Sequence, residues 1–328
     1  MSNKILQMKR FITDPRIRFS YLSELGFYKN MSDEEYLKKK FKLEMGRKLN
    51  LENPQTFNEK LQWLKIYDRK PIYTTMVDKY EAKYYVASII GKEYIIPTLG
   101  VWDKFDDIDF ASLPDQFVLK CTHDSGGLVI CKDKNKLDKV AAKKKIEKSL
   151  RRNYYWFGRE WPYKNVKPRI IAEKYMEDTS TLKSQDYECL REEEDRQTTG
   201  ELTDYKFFCF DGCVDCVMVC LERSSGETKF YFFDKDWNLR RLNIRGKNAP
   251  EGFSIPKPKC IDGMFDIAAT LSKGLSFARI DLYQSDGHIY FGEITFFPDS
   301  GFDANILQEA DEYWGKILIL PDRTLEKR

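Results

Sequence analysis

The amino-acid sequence predicts an α+β protein, with helices first and antiparallel hairpins after them, and three observations predict it. Two capping boxes open helices within residues 1–75. Short apolar runs bounded by turn residues take over from about residue 94. A stretch of helical spacing, Met264 to Leu275, separates the last two strands from the rest.

Taken in order, Ser32-Asp33-Glu34-Glu35 opens a helix that runs to about Leu43. Thr56-Phe57-Asn58-Glu59 repeats the signal, and Leu61, Leu64 and Ile66 follow at roughly helical spacing. Asp78-Lys79-Tyr80-Glu81 begins a third helix that stops at Gly91. Tyr94-Ile95-Ile96-Pro97 and Phe117-Val118-Leu119-Lys120 are expected to be strands, the second returning through Leu128 to Cys131. Residues 137–152, rich in lysine and alanine, are expected to form a helix with a solvated basic face, and Ile170 to Glu173 another strand. Thr179 to Thr203 is polar and lacks the apolar content of a core, so it is expected to be a loop. Strands are expected again at Tyr205–Phe210, Cys213–Leu221, Phe230–Phe233, Phe277–Tyr283 and Ile289–Phe296.

A chain of 328 residues is long enough for two or three lobes. Hydrophobic residues make up 42% and charged residues 33%, as in an ordinary soluble protein. With 55 basic and 52 acidic residues the net charge is only +3, which gives no reason to invoke nucleic acid or an anionic membrane surface. No apolar run of about 18 residues exists to span a membrane. Residues 1–28 carry scattered charges instead of the apolar block of a signal peptide, so a cytoplasmic location with eight reduced cysteines is expected. Two histidines, His123 and His288, rule out a His-rich metal site and make Ser-His-Asp or Cys-His catalysis a poor fit.

The chemistry concentrates in Phe277 to Tyr283 and Ile289 to Thr295, where polar and apolar residues alternate on either side of Ser285-Asp286-Gly287. A three-residue loop with Gly287 left-handed would pair 279 with 293 and 281 with 291. Arg279, Asp281, Glu293 and Thr295 then share one face, and Ile280, Leu282 and Ile294 line the other. A two-residue loop would put the carboxylates on opposite faces. Two carboxylates, a hydroxyl and an arginine on one sheet face suit a hard cation such as magnesium. The plain alternative is a solvated face with a cross-strand Arg279–Glu293 pair.

Arg279-Ile280-Asp281 followed by Glu293-Ile294-Thr295-Phe296-Phe297-Pro298 resembles the metal-binding end of ATP-grasp enzymes. The resemblance implies Asp281, Glu293 and Thr295 as magnesium ligands and Arg279 as the contact to an acyl-phosphate or tetrahedral intermediate. Thr295 stands where the superfamily usually has asparagine. Phe117 to Lys120 with Ser125-Gly126-Gly127 resembles the lysine strand and glycine-rich lid, with Lys120, Gly126 and Gly127 on the ATP phosphates, although the same residues also describe a plain hairpin. Ile171-Ala172-Glu173-Lys174-Tyr175-Met176 resembles the adenine hinge, which implies adenine contacts for Glu173, Lys174 and Met176. Lys206, on the strand opened by Asp204, is a candidate for a phosphate or substrate carboxylate, and His123 sits beside the lid.

The closer similarity is to the TupA-like ATP-grasp family of bacterial surface-polysaccharide gene clusters, from Pro54-Gln55-Thr56-Phe57-Asn58-Glu59-Lys60 through Asp78-Lys79 to Gly292-Glu293-Ile294-Thr295-Phe296. That resemblance implies an ATP-grasp fold holding ATP between two antiparallel sheet lobes, in three parts: residues 1–115, a lid at 116–172 and a catalytic lobe at 173–328. It implies ATP and magnesium as cofactors and ligation of a carboxylate to an amine through an acyl-phosphate. The expected substrates are a uronic acid of a nucleotide sugar or glycan and an amino acid. A glycosyltransferase or a sugar kinase stands as the alternative.

Two other groupings carry less. Cys209, Cys213, Cys216 and Cys220 suggest a metal site. However, with Asp211-Gly212 as the turn, Cys213 faces away from the rest, and Cys216 and Cys220 stand roughly 13 Å apart along a strand. Asp234-Lys235-Asp236 has the Asp-x-Asp form of many glycosyltransferases, yet it precedes Trp237-Asn238, which reads as a turn.

Overall fold

The computed structural model describes residues 11–177, 202–221 and 228–322. Its longer helices are α1 Pro15–Glu24, α2 Asp33–Met45, α3 Phe57–Tyr67, α4 Glu81–Ile90, α5 Lys139–Leu150, α6 Ile261–Ser272 and α7 Gln308–Ile317. The strands are β1 Thr98–Trp102, β2 Phe117–Cys121, β3 Leu128–Cys131, β4 Ile170–Lys174 and β5 Asp204–Phe210. They continue with β6 Cys213–Leu221, β7 Lys229–Phe233, β8 Leu239–Arg240, β9 Ala278–Ser285 and β10 His288–Thr295. Two compact units result, one from residues 1–74, 153–166 and 297–328, the other from 75–152 and 167–296. Within the second unit β1 pairs antiparallel with β4. Of the polar stretch 179–203, residues up to 201 lie outside the described set.

In the first unit both expected capping boxes form. The Ser32 hydroxyl accepts from the Glu35 N–H and the Glu35 carboxylate answers, while left-handed Gly46 closes α2. Thr56 and Glu59 do the same for α3. The Asp311 carboxylate of α7 accepts from the Asn58 backbone and side chain at 2.8 and 2.9 Å. Trp314, fully buried, meets the Phe57 ring edge-on at 5.3 Å. Lys65 is also fully buried and donates to Gln62 Oε1, Gly158 O and Ser300 O at 2.9, 2.7 and 2.6 Å. Burial pushes its ammonium down to about 7 against the pull of Glu160. Ser300 belongs to three consecutive left-handed residues, Asp299, Ser300 and Gly301. The Ser300 and Gly301 carbonyls turned inward there need donors, and Lys65 and Gln62 supply them.

The second unit holds two antiparallel sheets, of order β1-β4-β2-β3 and β10-β9-β5-β6-β7-β8. Phe117, Leu119, Cys121, Ile170 and Ala172 of the smaller sheet pack with Ala142 and Ile146 of α5. α6 lies against β5, β6 and β9 of the larger one, with Phe265 edge-on to Phe207 at 5.1 Å. The expected strand at Tyr94–Pro97 does not form. Lys92–Tyr94 is a 3₁₀ turn, Ile95 makes one parallel bridge to Phe291, and the ladder begins at Thr98. Pro97 has no N–H to give a ladder; its carbonyl accepts from the Lys174 N–H at 3.0 Å. No helix among the described residues is long and apolar enough to cross a membrane.

Candidate active site

The β9–β10 hairpin turns through two residues, not three. Asp286 and Gly287 both have left-handed φ, 50° and 84°, and Ser285 stands opposite His288. Continued without interruption, that register would place Asp281 and Glu293 on opposite faces. A bulge between Phe291 and Glu293 corrects it, so Asp281 pairs with Glu293 and Arg279 with Thr295 in place of the pairings 281–291 and 279–293. Gly292 is the extra residue. A Cβ there would lie 2.9 Å from Asp281 O and 2.7 Å from the Tyr283 ring, so the bulge has room only for glycine.

The four polar side chains consequently converge. Arg279 grips Asp281 with Nε and Nη2 at 2.7 and 2.8 Å and extends Nη2 to Glu293 Oε1 and Thr295 Oγ1 at 3.2 and 3.1 Å. Lys206, one strand over, pairs with Asp281 and reaches Asp204 at 2.6 Å. Burial opposes charge on Lys206, but Asp281 and Asp204 prevail and raise its pKa. Burial opposes the charge on Glu293, yet Lys79, Arg279 and Lys206 hold its carboxyl down at about 2. Glu293, a third exposed, and Thr295 present oxygen donors beside Asp281, a set that suits a hard cation. Among the described residues no three His, Cys, Asp or Glu side chains gather as a metal cluster, so phosphate and water would have to complete such a shell.

The smaller sheet supplies a second charged group. Glu173 lies between Lys83 and Lys120, at 2.5 and 2.6 Å. Burial alone would raise its pKa, but the two lysines bring it down to about 2. Lys79 joins the groups: its Nζ donates to Asp124 O at 2.7 Å and stands 3.7 Å from Glu293 Oε2. Lys79 and Lys83 were missed as site residues in the sequence, although the Asp-Lys-x-x-x-Lys spacing at one helix start was the available signal. In the glycine turn, Ser125 and Gly126 are exposed, whereas the Gly127 N–H is taken by Asp124 Oδ1 at 3.0 Å. His123 is buried, with Nε2 facing Ser149 O and Arg152 O at 3.2 and 3.0 Å. Lys174 is exposed at the end of β4, and Met176 follows it, half-buried.

The two other groupings have structural roles. Cys209, Cys216 and Cys220 are buried while Cys213 is exposed, and burial pushes the Cys209 and Cys220 thiols up to about 12. Asp234 spends its carboxylate on its own turn, accepting from the Asn238 N–H at 2.8 Å.

An arginine–carboxylate hairpin set against a lysine-bearing sheet defines the class, and the sequence agrees. The chain belongs to the TupA-like ATPgrasp family, which it matches over residues 59–191 and 187–319, and it has the ATP-grasp fold. Among solved structures it is similar to D-alanine–D-alanine ligase from Bacillus anthracis complexed with ATP, at 15% identity and TM-score 0.41, over 74% of this chain and 60% of that one. The Helicobacter pylori D-alanine–D-alanine ligase matches at 13% and 0.43, over 80% and 69%. The ATP-grasp ligase PsnB, complexed with minimal precursor, Mg and ADP, matches at 10% and 0.38, over 73% and 57%. The chain thus spans about 60% of the first of these proteins. Among curated proteins, none matches.

Proposed function

We propose that this protein is an ATP- and magnesium-dependent ligase that joins a carboxylate to an amine through an acyl-phosphate. The observation that supports it most is the bulge at Gly292, which brings Arg279, Asp281, Glu293 and Thr295 onto one face beside Lys206. Such a face does what in-line phosphoryl transfer requires: it gathers cations and oxygen ligands around a developing charge.

Lys120 and Lys79 bind the ATP phosphates, and Glu173, the Lys174 carbonyl and the Met176 N–H hold the adenine. Ser125 and Gly126, both exposed, turn their N–H groups to the phosphates, with Gly127 shaping the turn. Asp281, Glu293 and Thr295 would hold magnesium, which when bound supplies Lewis-acid charge at the phosphate oxygens. A substrate carboxylate oxygen attacks the γ-phosphorus, the bond to ADP breaks, and Lys206 steadies the incoming carboxylate. The amine nitrogen then attacks the acyl carbon and phosphate leaves with the bonding pair. The nitrogen sheds its proton to give the amide, while Arg279 stabilises the oxyanion.

The substrates this reading takes are a uronic acid of a nucleotide sugar or glycan as the carboxylate and an amino acid as the amine. Incubation with ATP, magnesium, UDP-glucuronate or UDP-galacturonate and pooled amino acids, read by mass spectrometry, tests it. An amide-linked product with ADP is expected, reduced at least about 100-fold in Glu293→Ala. ADP release without any amine requirement would indicate a kinase. UDP release with ATP untouched would indicate a glycosyltransferase.

A further inference from the structure

The last turn of α5 is tied to the turn between β2 and β3 by two consecutive residues. Of residues 122–127, only Ser125 and Gly126 are exposed. His123 directs Nε2 at Ser149 O and Arg152 O, at 3.2 and 3.0 Å. Carbonyls only accept, so Nε2 carries the ring proton and answers groups that a helix end leaves without an intrahelical donor. Ser149 Oγ also donates to Asp124 Oδ2, while Asp124 Oδ1 accepts from the Gly127 N–H at 3.0 Å. One helical residue thus meets both: its carbonyl takes His123 and its hydroxyl takes Asp124. The packing there is close, since a Cβ at Gly127 would lie 2.5 Å from Cys121 Sγ and 2.8 Å from Ser149 Oγ. Behind the turn, the Thr122 N–H donates to Arg169 O at 2.9 Å. The Lys79 N–H donates to Thr122 O at 3.0 Å, and Lys79 Nζ to Asp124 O at 2.7 Å. All of these residues belong to the second unit.

We propose that Ser149, His123 and Asp124 are positioning residues, which hold the Ser125–Gly126 backbone in the shape that receives the ATP phosphates. The inference rests on the ATP reading above and adds residues outside the adenine, phosphate and magnesium contacts assigned there. Backbone N–H groups bind phosphate well only when they are aimed beforehand. An exposed Ser-Gly pair has no packing of its own to aim it, so its buried neighbours must. His123 argues for function over plain packing. Its Nδ1 is buried with no partner among the described residues, which disfavours the ring at that place. An apolar side chain would fill the space without an orphan nitrogen but could not hold the end of α5. Departures of this kind from the best local choice gather at functional sites. The clamp also reaches the hairpin, because the Lys79 ammonium that holds Asp124 O stands 3.7 Å from Glu293 Oε2.

Titration calorimetry on the full chain, with magnesium-ATP and with AMP, which lacks the outer phosphates, tests the proposal. Ser149→Ala keeps the carbonyl that takes His123 and removes the hydroxyl that takes Asp124. It is expected to weaken ATP binding by at least about 10-fold and to leave AMP within about 2-fold. Asp124→Ala is expected to do the same. Asp124→Asn, whose amide can accept from the Gly127 N–H and donate to Ser149 Oγ, is expected to restore ATP binding to within about 3-fold. His123→Gln, which keeps an N–H donor, is expected to bind ATP more tightly than His123→Ala. Undiminished ATP binding in Ser149→Ala overturns the proposal, as do equal losses for ATP and AMP, which would make the clamp a matter of folding alone. Amide exchange of the unaltered chain tests it without substitution: ATP is expected to slow exchange in residues 122–128 and 147–152 together. Slowing of the turn without the end of α5 overturns the proposal. Those failures leave the ligase reading standing, whereas an unaltered chain that binds no ATP overturns both.

Discussion

Glu173 makes the clearest case for a single side chain whose charge matters to the whole. It is buried, and a carboxylate in that position survives only because Lys83 and Lys120 touch it from two elements. Its folded pKa lies at about 2, below the ordinary 4.5. The stabilisation is therefore complete above about pH 4.5 and is lost as pH falls towards 2, an amount on the order of 3 kcal/mol. Glutamine resembles the protonated acid, so Glu173→Gln is expected to be markedly less stable than wild type at pH 7, with the gap narrowed to about 1 kcal/mol near pH 2.5. Urea unfolding midpoints at the two pH values measure this. A gap that does not narrow on acidification would mean that Glu173 contributes packing rather than charge.

At the scale of elements, the hairpin β9–β10 depends on one glycine. The turn at Asp286-Gly287 fixes one register and the site needs another, and the extra residue at 292 reconciles them. Gly292→Val places a branched side chain against Asp281 O and the Tyr283 ring. Such a chain must either lose the bulge or shift β10, and both separate Glu293 from Asp281. Turnover is expected to drop about 100-fold or more, and amide exchange along 288–295 to quicken, with a modest change in overall stability. Unchanged turnover would sink the argument that the bulge builds the site. The alternation along both strands and the turn residues were legible from residue pattern alone, whereas the shared face of the four polar side chains rests on the bulge and not on the three-residue loop the pattern suggests. The bulge was not legible, because an alternating pattern does not reveal a residue that the partner strand skips. The capping boxes at Ser32 and Thr56 were legible because their hydrogen bonds are local. Tyr94–Pro97 misled for the complementary reason: its apolar run resembles a strand, while Pro97 withholds the N–H a ladder needs.

At the scale of the molecule, the first unit joins three stretches of chain separated by more than a hundred residues in places, and no local signal marks such a union. Its packing explains why the stretches belong together. α7 carries Asp311 to the start of α3, where it satisfies the Asn58 N–H, and Trp314 fills the space against Phe57. Gly315 lets the helices close, since a Cβ there would come within 2.8 Å of the Thr56 backbone. Because loop closure must precede the reward from these contacts, the unit is expected to form late and cooperatively. Trp314→Ala leaves a large cavity where a fully buried indole stood and is expected to cost about 3–5 kcal/mol. Because α3 and α7 share that cavity, the loss should appear in both. Hydrogen exchange should accelerate together in Phe57–Tyr67 and Gln308–Ile317 while the β9–β10 hairpin, in the other unit, keeps its protection. Acceleration confined to α7 would mean that the helix lies on the unit without holding it together. Equal acceleration in the hairpin would mean that the two units unfold as one.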